Sequence, residues 1–136
     1  MQASLAGSQR CILLAEDDDE MRSLLVRWLR NAGYGVTACC DGIDLLEQIT
    51  EFLEARKPLP YGLIISDIRM PWVTGMEILE GMKDYIGFPP VILITAFGDR
   101  ATHERAEDLG AAAIFDKPFD MPDLITKVNE LFKVGP

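Results

Sequence analysis

Leu63-Ile64-Ile65-Ser66-Asp67-Ile68-Arg69-Met70-Pro71 is the stretch on which the fold turns. Three large aliphatic residues in a row suit a strand buried on both faces, an environment found in parallel sheets covered by helices on each side. Ser66 and Asp67 end the run, so this strand delivers a carboxylate to its C-terminal edge. In open parallel sheets, ligands sit at that edge, near the point where strand order reverses.

Outward from this strand, apolar bursts alternate with amphipathic stretches, the rhythm of repeated strand and helix units. Residues 11–15 form the first burst, 36–40 a weaker second, 91–94 the fourth and 113–115 a short fifth. Met21, Leu24, Leu25, Trp28 and Leu29 recur at helical spacing, with Arg22, Arg27 and Arg30 on the other side and Gly33 as a stop. Asp41-Gly42 leads into a second helix with an apolar face of Ile43, Leu46, Ile49 and Leu53, ended by Pro58 and Pro60. Met76, Leu79 and Met82 mark the third helix; residues 99–109 form a polar fourth that Gly110 terminates. Leu124, Ile125, Val128, Leu131 and Phe132 pattern the fifth, opened by Asp120 or by Met121-Pro122. Five strand and helix pairs result. Trp28, Met76 and Met82 are expected in the core.

The chain has 136 residues, 49% of them hydrophobic and 26% charged, enough for one domain with a sizeable core. A formal net charge of -9 with no basic patch argues against nucleic acid and anionic membrane as partners of this chain. Three cysteines, two of them adjacent as Cys39 and Cys40, make no disulfide framework, and with His103 as the single histidine there is no zinc grouping. The first residues lack a signal-peptide pattern and no apolar run is long enough to span a bilayer, so the expectation is a cytoplasmic chain. Residues 1–9 are expected to be a flexible leader and 10–134 the folded unit.

The polar residues at the strand ends carry the chemistry. Asp17 and Asp18 follow the first strand, Asp67 the third, Thr95 the fourth and Lys117 the fifth. Three clustered carboxylates repel one another unless a cation neutralises them, and an all-oxygen set favours Mg²⁺. Asp67 can then act as nucleophile toward a phosphoryl group, with Lys117 supplying positive charge and Thr95 a hydrogen-bonding hydroxyl. Weighed against this, Asp19 reads as a helix cap, Thr95 could cap the fourth helix, and His103 reads as a solvated helix residue without a partner.

Glu16-Asp17-Asp18-Asp19, Ser66-Asp67-Ile68-Arg69-Met70-Pro71 with Gly75, Thr95-Ala96-Phe97 and Lys117-Pro118-Phe119 together resemble a response regulator receiver domain of two-component signalling, similar to the chemotaxis regulators. The match runs along nearly the whole chain. It implies a flavodoxin-like α/β fold: a doubly wound, five-stranded parallel sheet of order 2-1-3-4-5 with five helices. By the same resemblance Asp67 is the phosphoacceptor, Asp17 and Asp18 bind Mg²⁺ with Asp67 and the Arg69 backbone carbonyl, and Thr95 and Lys117 respond to the phosphoryl group. A cis Lys117-Pro118 bond also belongs to the pattern. The implied partners are a sensor histidine kinase and a downstream protein or output domain. They would meet the fourth helix, fifth strand and fifth helix, a surface that could also form a homodimer.

Three departures stand out. Ile114 occupies a position where receivers often carry an aromatic residue, and Phe115 should face the other side of the strand. The connection over residues 54–61 is long, and Trp72-Val73-Thr74 follows the Met-Pro pair. Bulky Phe97 is expected to restrict water at a phosphoryl group and slow its hydrolysis. Two other readings compete. A haloacid-dehalogenase-like phosphohydrolase would place a second Asp where this chain has Arg69, and a degenerate receiver would have lost one of the acid, acceptor or lysine positions.

Overall fold

Short aliphatic strands and amphipathic helices alternate from one end to the other in the computed structural model, which describes residues 10–133. The strands are β1 (Cys11–Ala15), β2 (Gly35–Cys39), β3 (Leu63–Asp67), β4 (Val91–Thr95) and β5 (Ala113–Asp116). The helices are α1 (Asp19–Asn31), α2 (Gly42–Glu54), α3 (Gly75–Met82), α4 (Arg100–Asp108) and α5 (Met121–Lys133). All four strand pairings are parallel and the order is β2-β1-β3-β4-β5, as the sequence led us to expect. The expected leader, residues 1–9, lies outside the described residues.

Strand alternation divides the core into two layers. Leu13, Ile64 and Leu93 face one side, where Leu45 and Ile49 of α2, Ile78 and Leu79 of α3 and Ala106 of α4 cover them. Ile12, Leu14, Ile65, Ile92 and Ile94 face the other, under Leu25 and Leu29 of α1 and Leu124 and Val128 of α5. Every residue of β3 and β4 is buried, which is why their sequences show no polar alternation. β2 and β5 lie at the edges and bury far less.

Several local expectations shift. The second strand begins and ends one residue earlier than its apolar pattern implies. On α2 the fully buried pair is Leu45 and Ile49, Leu46 and Leu53 pack partly, and Ile43 turns outward. Trp28, expected in the core, is 39% exposed, because α1 directs Leu25 and Leu29 at the sheet. Met76 is buried and Met82 packs against the same layer from its margin.

Candidate functional site

The C-terminal ends of β1, β3, β4 and β5 open on one rim. β3 positions Asp67 there, 4% exposed, and the first residue beyond β1 is Glu16, fully buried. Lys117, the first residue beyond β5, reaches both: its Nζ lies 2.8 Å from Glu16 Oε1 and 2.7 Å from Asp67 Oδ2. Asp67 Oδ1 accepts from the Arg69 backbone N–H at 2.9 Å, and Glu16 Oε2 accepts from the Asp18 N–H at 3.0 Å. Both buried carboxylates are thus tied to the backbone and to one ammonium. The close fit extends below Asp67, where a Cβ on Gly75 would lie 2.7 Å from the Asp67 carbonyl oxygen. Only glycine lets α3 start this near the acceptor strand.

The acid group is offset by one residue from the sequence expectation. One carboxylate oxygen from each of Glu16, Asp17 and Asp67 lies within 4.8 Å of the other two. Asp18 stands outside this group: it is the N-cap of α1, where its Oδ2 accepts from the Met21 N–H at 2.8 Å. Asp19, expected as the cap, sits in the first turn and pairs with Arg22. Counting three residues back from Met21, the first residue of the apolar stripe, lands on Asp18 and gives the cap from sequence. Glu16, which the sequence reading passed over, was recoverable as the carboxylate directly abutting β1.

Thr95 ends β4, 1% exposed, and its hydroxyl oxygen accepts from the Phe97 N–H at 3.0 Å. It does not cap α4; Asp99 does, accepting from the Thr102 N–H at 2.8 Å. The Lys117 N–H donates to the Thr95 carbonyl at 2.7 Å, which joins the ends of β4 and β5, and the Lys117-Pro118 peptide is cis. Arg69 lays its guanidinium over the Phe97 ring, 4.5 Å from the centroid, at the open side of the rim. His103, expected to have no partner, places Nε2 2.9 Å from both carboxylate oxygens of Asp116.

Burial and charge act on the two ends of the ion pair in opposite directions. Desolvation pushes the Glu16 carboxyl up to about 7, more than its hydrogen bonds to Lys117 and the Asp18 N–H pull it down. For Lys117 desolvation acts downward, but the hydrogen bonds to Asp67 and Glu16 outweigh it and the ammonium is stabilised. The ammonium therefore stays charged while the deepest carboxylate remains under-compensated. Within reach of one another are three carboxylates and one ammonium, an oxygen-only donor set with an excess of negative charge. That chemistry fits a hard divalent cation such as Mg²⁺.

A doubly wound parallel sheet whose rim joins an aspartate, an acid group, a hydroxyl and a lysine defines a class of phosphoryl-handling α/β domains. Residues 12–129 match the response regulator receiver domain family. The chain belongs to that family, whose members act in two-component systems and typically carry phosphorylation and Mg²⁺ at an acidic pocket. It is a signalling domain and not a classical enzyme. It is 36% identical over 119 residues to the transcriptional regulatory protein FixJ of Bradyrhizobium diazoefficiens, covering 88% of this chain and 54% of that protein. It is 32% identical to the response regulator receiver protein CpdR of Brucella abortus, covering 88% of this chain and 94% of CpdR. The chain thus spans about half of FixJ and nearly all of CpdR. Among solved structures, a response regulator receiver domain protein from Clostridium thermocellum superposes with a TM-score of 0.78 at 25% identity, over 90% of this chain and 94% of that one. The chemotaxis protein CheY4 of Vibrio cholerae gives 0.72 at 26% identity, over 89% and 97%.

Proposed function

We propose that this chain is a phosphorylation-controlled switch that takes a phosphoryl group from a sensor histidine kinase onto Asp67 and changes its binding surface in response. The Lys117 ammonium held between Asp67 and Glu16 carries this reading. In the transfer an Asp67 carboxylate oxygen attacks phosphorus, the bond from phosphorus to the donor's imidazole nitrogen breaks, and the electron pair leaves with the imidazole. Such a reaction asks mainly for positioning and charge neutralisation. Asp67 is held by the Arg69 N–H, and Lys117 is placed to follow the added charge from the carboxylate to the phosphoryl oxygens. Among the described residues the Thr95 hydroxyl is engaged as an acceptor, from the Phe97 N–H, which leaves its proton to be donated to a phosphoryl oxygen.

Glu16, Asp17 and Asp67, with the Arg69 carbonyl, would hold Mg²⁺, which supplies charge neutralisation to the phosphoryl oxygens. Asp18, the other member of the acid pair expected from sequence, is assigned to capping α1. We take residues 10–134 as the receiver unit, working in the cytoplasm, and α4, β5 and α5 as the face that meets a downstream protein, an output domain or a second copy. Among the described residues no helix is long and apolar enough to cross a membrane.

The test is incubation with acetyl phosphate and Mg²⁺, followed by intact mass measurement of the parent and of Asp67→Asn. The expected result is a single phosphoryl adduct on the parent and none on the variant. No adduct on the parent, or an equal one on the variant, overturns the reading.

A further inference from the structure

Outside the acid site, three chain segments meet at one polar contact. His103 of α4 points Nε2 at both oxygens of Asp116, the last residue of β5, at 2.9 Å. Gly98, in the loop between β4 and α4, packs against the same pair: a Cβ there would lie 1.5 Å from Asp116 Oδ1 and 2.9 Å from His103 Nε2. A side chain at residue 98 would have to displace the Asp116 carboxylate and the His103 ring.

The contact is wired to the site on both sides. Asp116 pairs with Thr95 in the β4–β5 ladder and is followed directly by Lys117. Gly98 lies three residues beyond Thr95. A phosphoryl group that engages Thr95 and Lys117 would therefore pull on the loop carrying Gly98 and on the strand end carrying Asp116. The His103 contact bridges α4 to that strand end, so it feels any such pull. Strand alternation puts Asp116 on the same side of β5 as Ile114, which packs against the layer that includes Ala106 of α4. The pair therefore stands on the same strand face as Ile114, which occupies the position where receivers often carry an aromatic residue.

We propose that His103 and Asp116 form a clasp that holds α4 in its unphosphorylated position, His103 acting as a positioning residue through Asp116, and that phosphorylation opens it. This rests on Asp67 being the phosphoacceptor. An element that favours the resting state lowers affinity for whatever selects the other state, so breaking the clasp raises that affinity.

The experiment is calorimetric titration of the chain with beryllium fluoride in the presence of Mg²⁺, comparing the parent with His103→Ala, Gly98→Ala and the double variant. The two single variants, one removing the imidazole and one displacing the Asp116 carboxylate, are each expected to bind about threefold more tightly, the scale of one exposed polar contact. The double variant should gain no more than either single one, because each breaks the same contact. Thermal melts run alongside: variants that melt lower yet bind as the parent does would show a purely structural contact and overturn the clasp, as would additive gains. A parent that does not bind beryllium fluoride overturns the phosphoacceptor reading itself.

Discussion

β3 and β5 both end at the rim, yet they are built for different work. β3 lies between β1 and β4 with all five residues buried, and it presents Asp67 from the most constrained part of the sheet. β5 is an edge strand with no fully buried residue, and it ends at Asp116 beside Lys117. A nucleophile profits from a fixed position, since small displacements are costly in a transfer reaction. A reporting surface profits from weak packing, since segments that move are drawn from the least stable parts of a fold. The sheet thus grades from a rigid centre that holds the chemistry to a looser edge that can answer it.

The contrast can be broken most severely in the core. Ile64→Ala should cost about 2 to 5 kcal/mol, because a fully buried aliphatic side chain is removed from between two strands and a helical layer. Ile114→Ala, on the half-buried edge, should cost under about 2 kcal/mol. Chemical denaturation of both variants measures the difference, and equal losses would erase the graded picture.

A second probe bears on the centre alone. The Glu16 carboxyl is raised in the folded protein, chiefly by burial, from its ordinary 4.5 to about 7. A raised carboxyl favours the protonated form, so in metal-free protein its ionisation costs no stability below pH 4.5. That cost grows as the pH rises toward 7 and is complete above it. Glu16→Gln does not ionise, so its melting temperature relative to the parent should be higher at pH 8 than at pH 5, both in chelator. A gap that is the same at both pH values would mean that Lys117 compensates Glu16 fully.

The smallest expected effect lies at the open side. Phe97, 62% exposed and stacked under Arg69, stands two residues from Thr95 and lines the groove beside it. Phe97→Ala should shorten the lifetime of the phosphorylated form a few-fold by admitting water. An unchanged lifetime, followed by intact mass over time, removes Phe97 from the hydrolytic step.

What sequence could and could not reveal follows the same gradient. β1, β3 and β4 are legible because strands buried on both faces must be apolar at every position, and their order along the chain fixes which polar residues reach the rim. Asp67, Thr95 and Lys117 were placed at the strand ends on that basis; Lys117 pairs with Asp67, and Thr95 closes the neighbouring strand β4. The acid run was harder: the five consecutive carboxylates from Glu16 to Glu20 carry no register of their own, and only the apolar stripe that begins at Met21 decides that Asp18 caps while Glu16 and Asp17 face Asp67. Ile43 and Trp28 fit a helical stripe by spacing, but the rotation of each helix on the sheet is set by its neighbours. The His103 contact with Asp116 depends on how α4 crosses β5, and residue spacing does not encode that crossing.

Trp72 gives the rim one more property. It stands five residues beyond Asp67 with φ at +75°, and 78% of it is open to solvent. A bulky residue at such a φ costs the backbone about 1 to 2 kcal/mol, and here it sets an indole in water on the loop that follows Asp67. The chain's other tryptophan, Trp28, lies on α1. Nature has in effect fitted the acceptor loop with its own fluorophore, whose emission colour and quenching by dissolved ions register what settles over that loop without any attached dye.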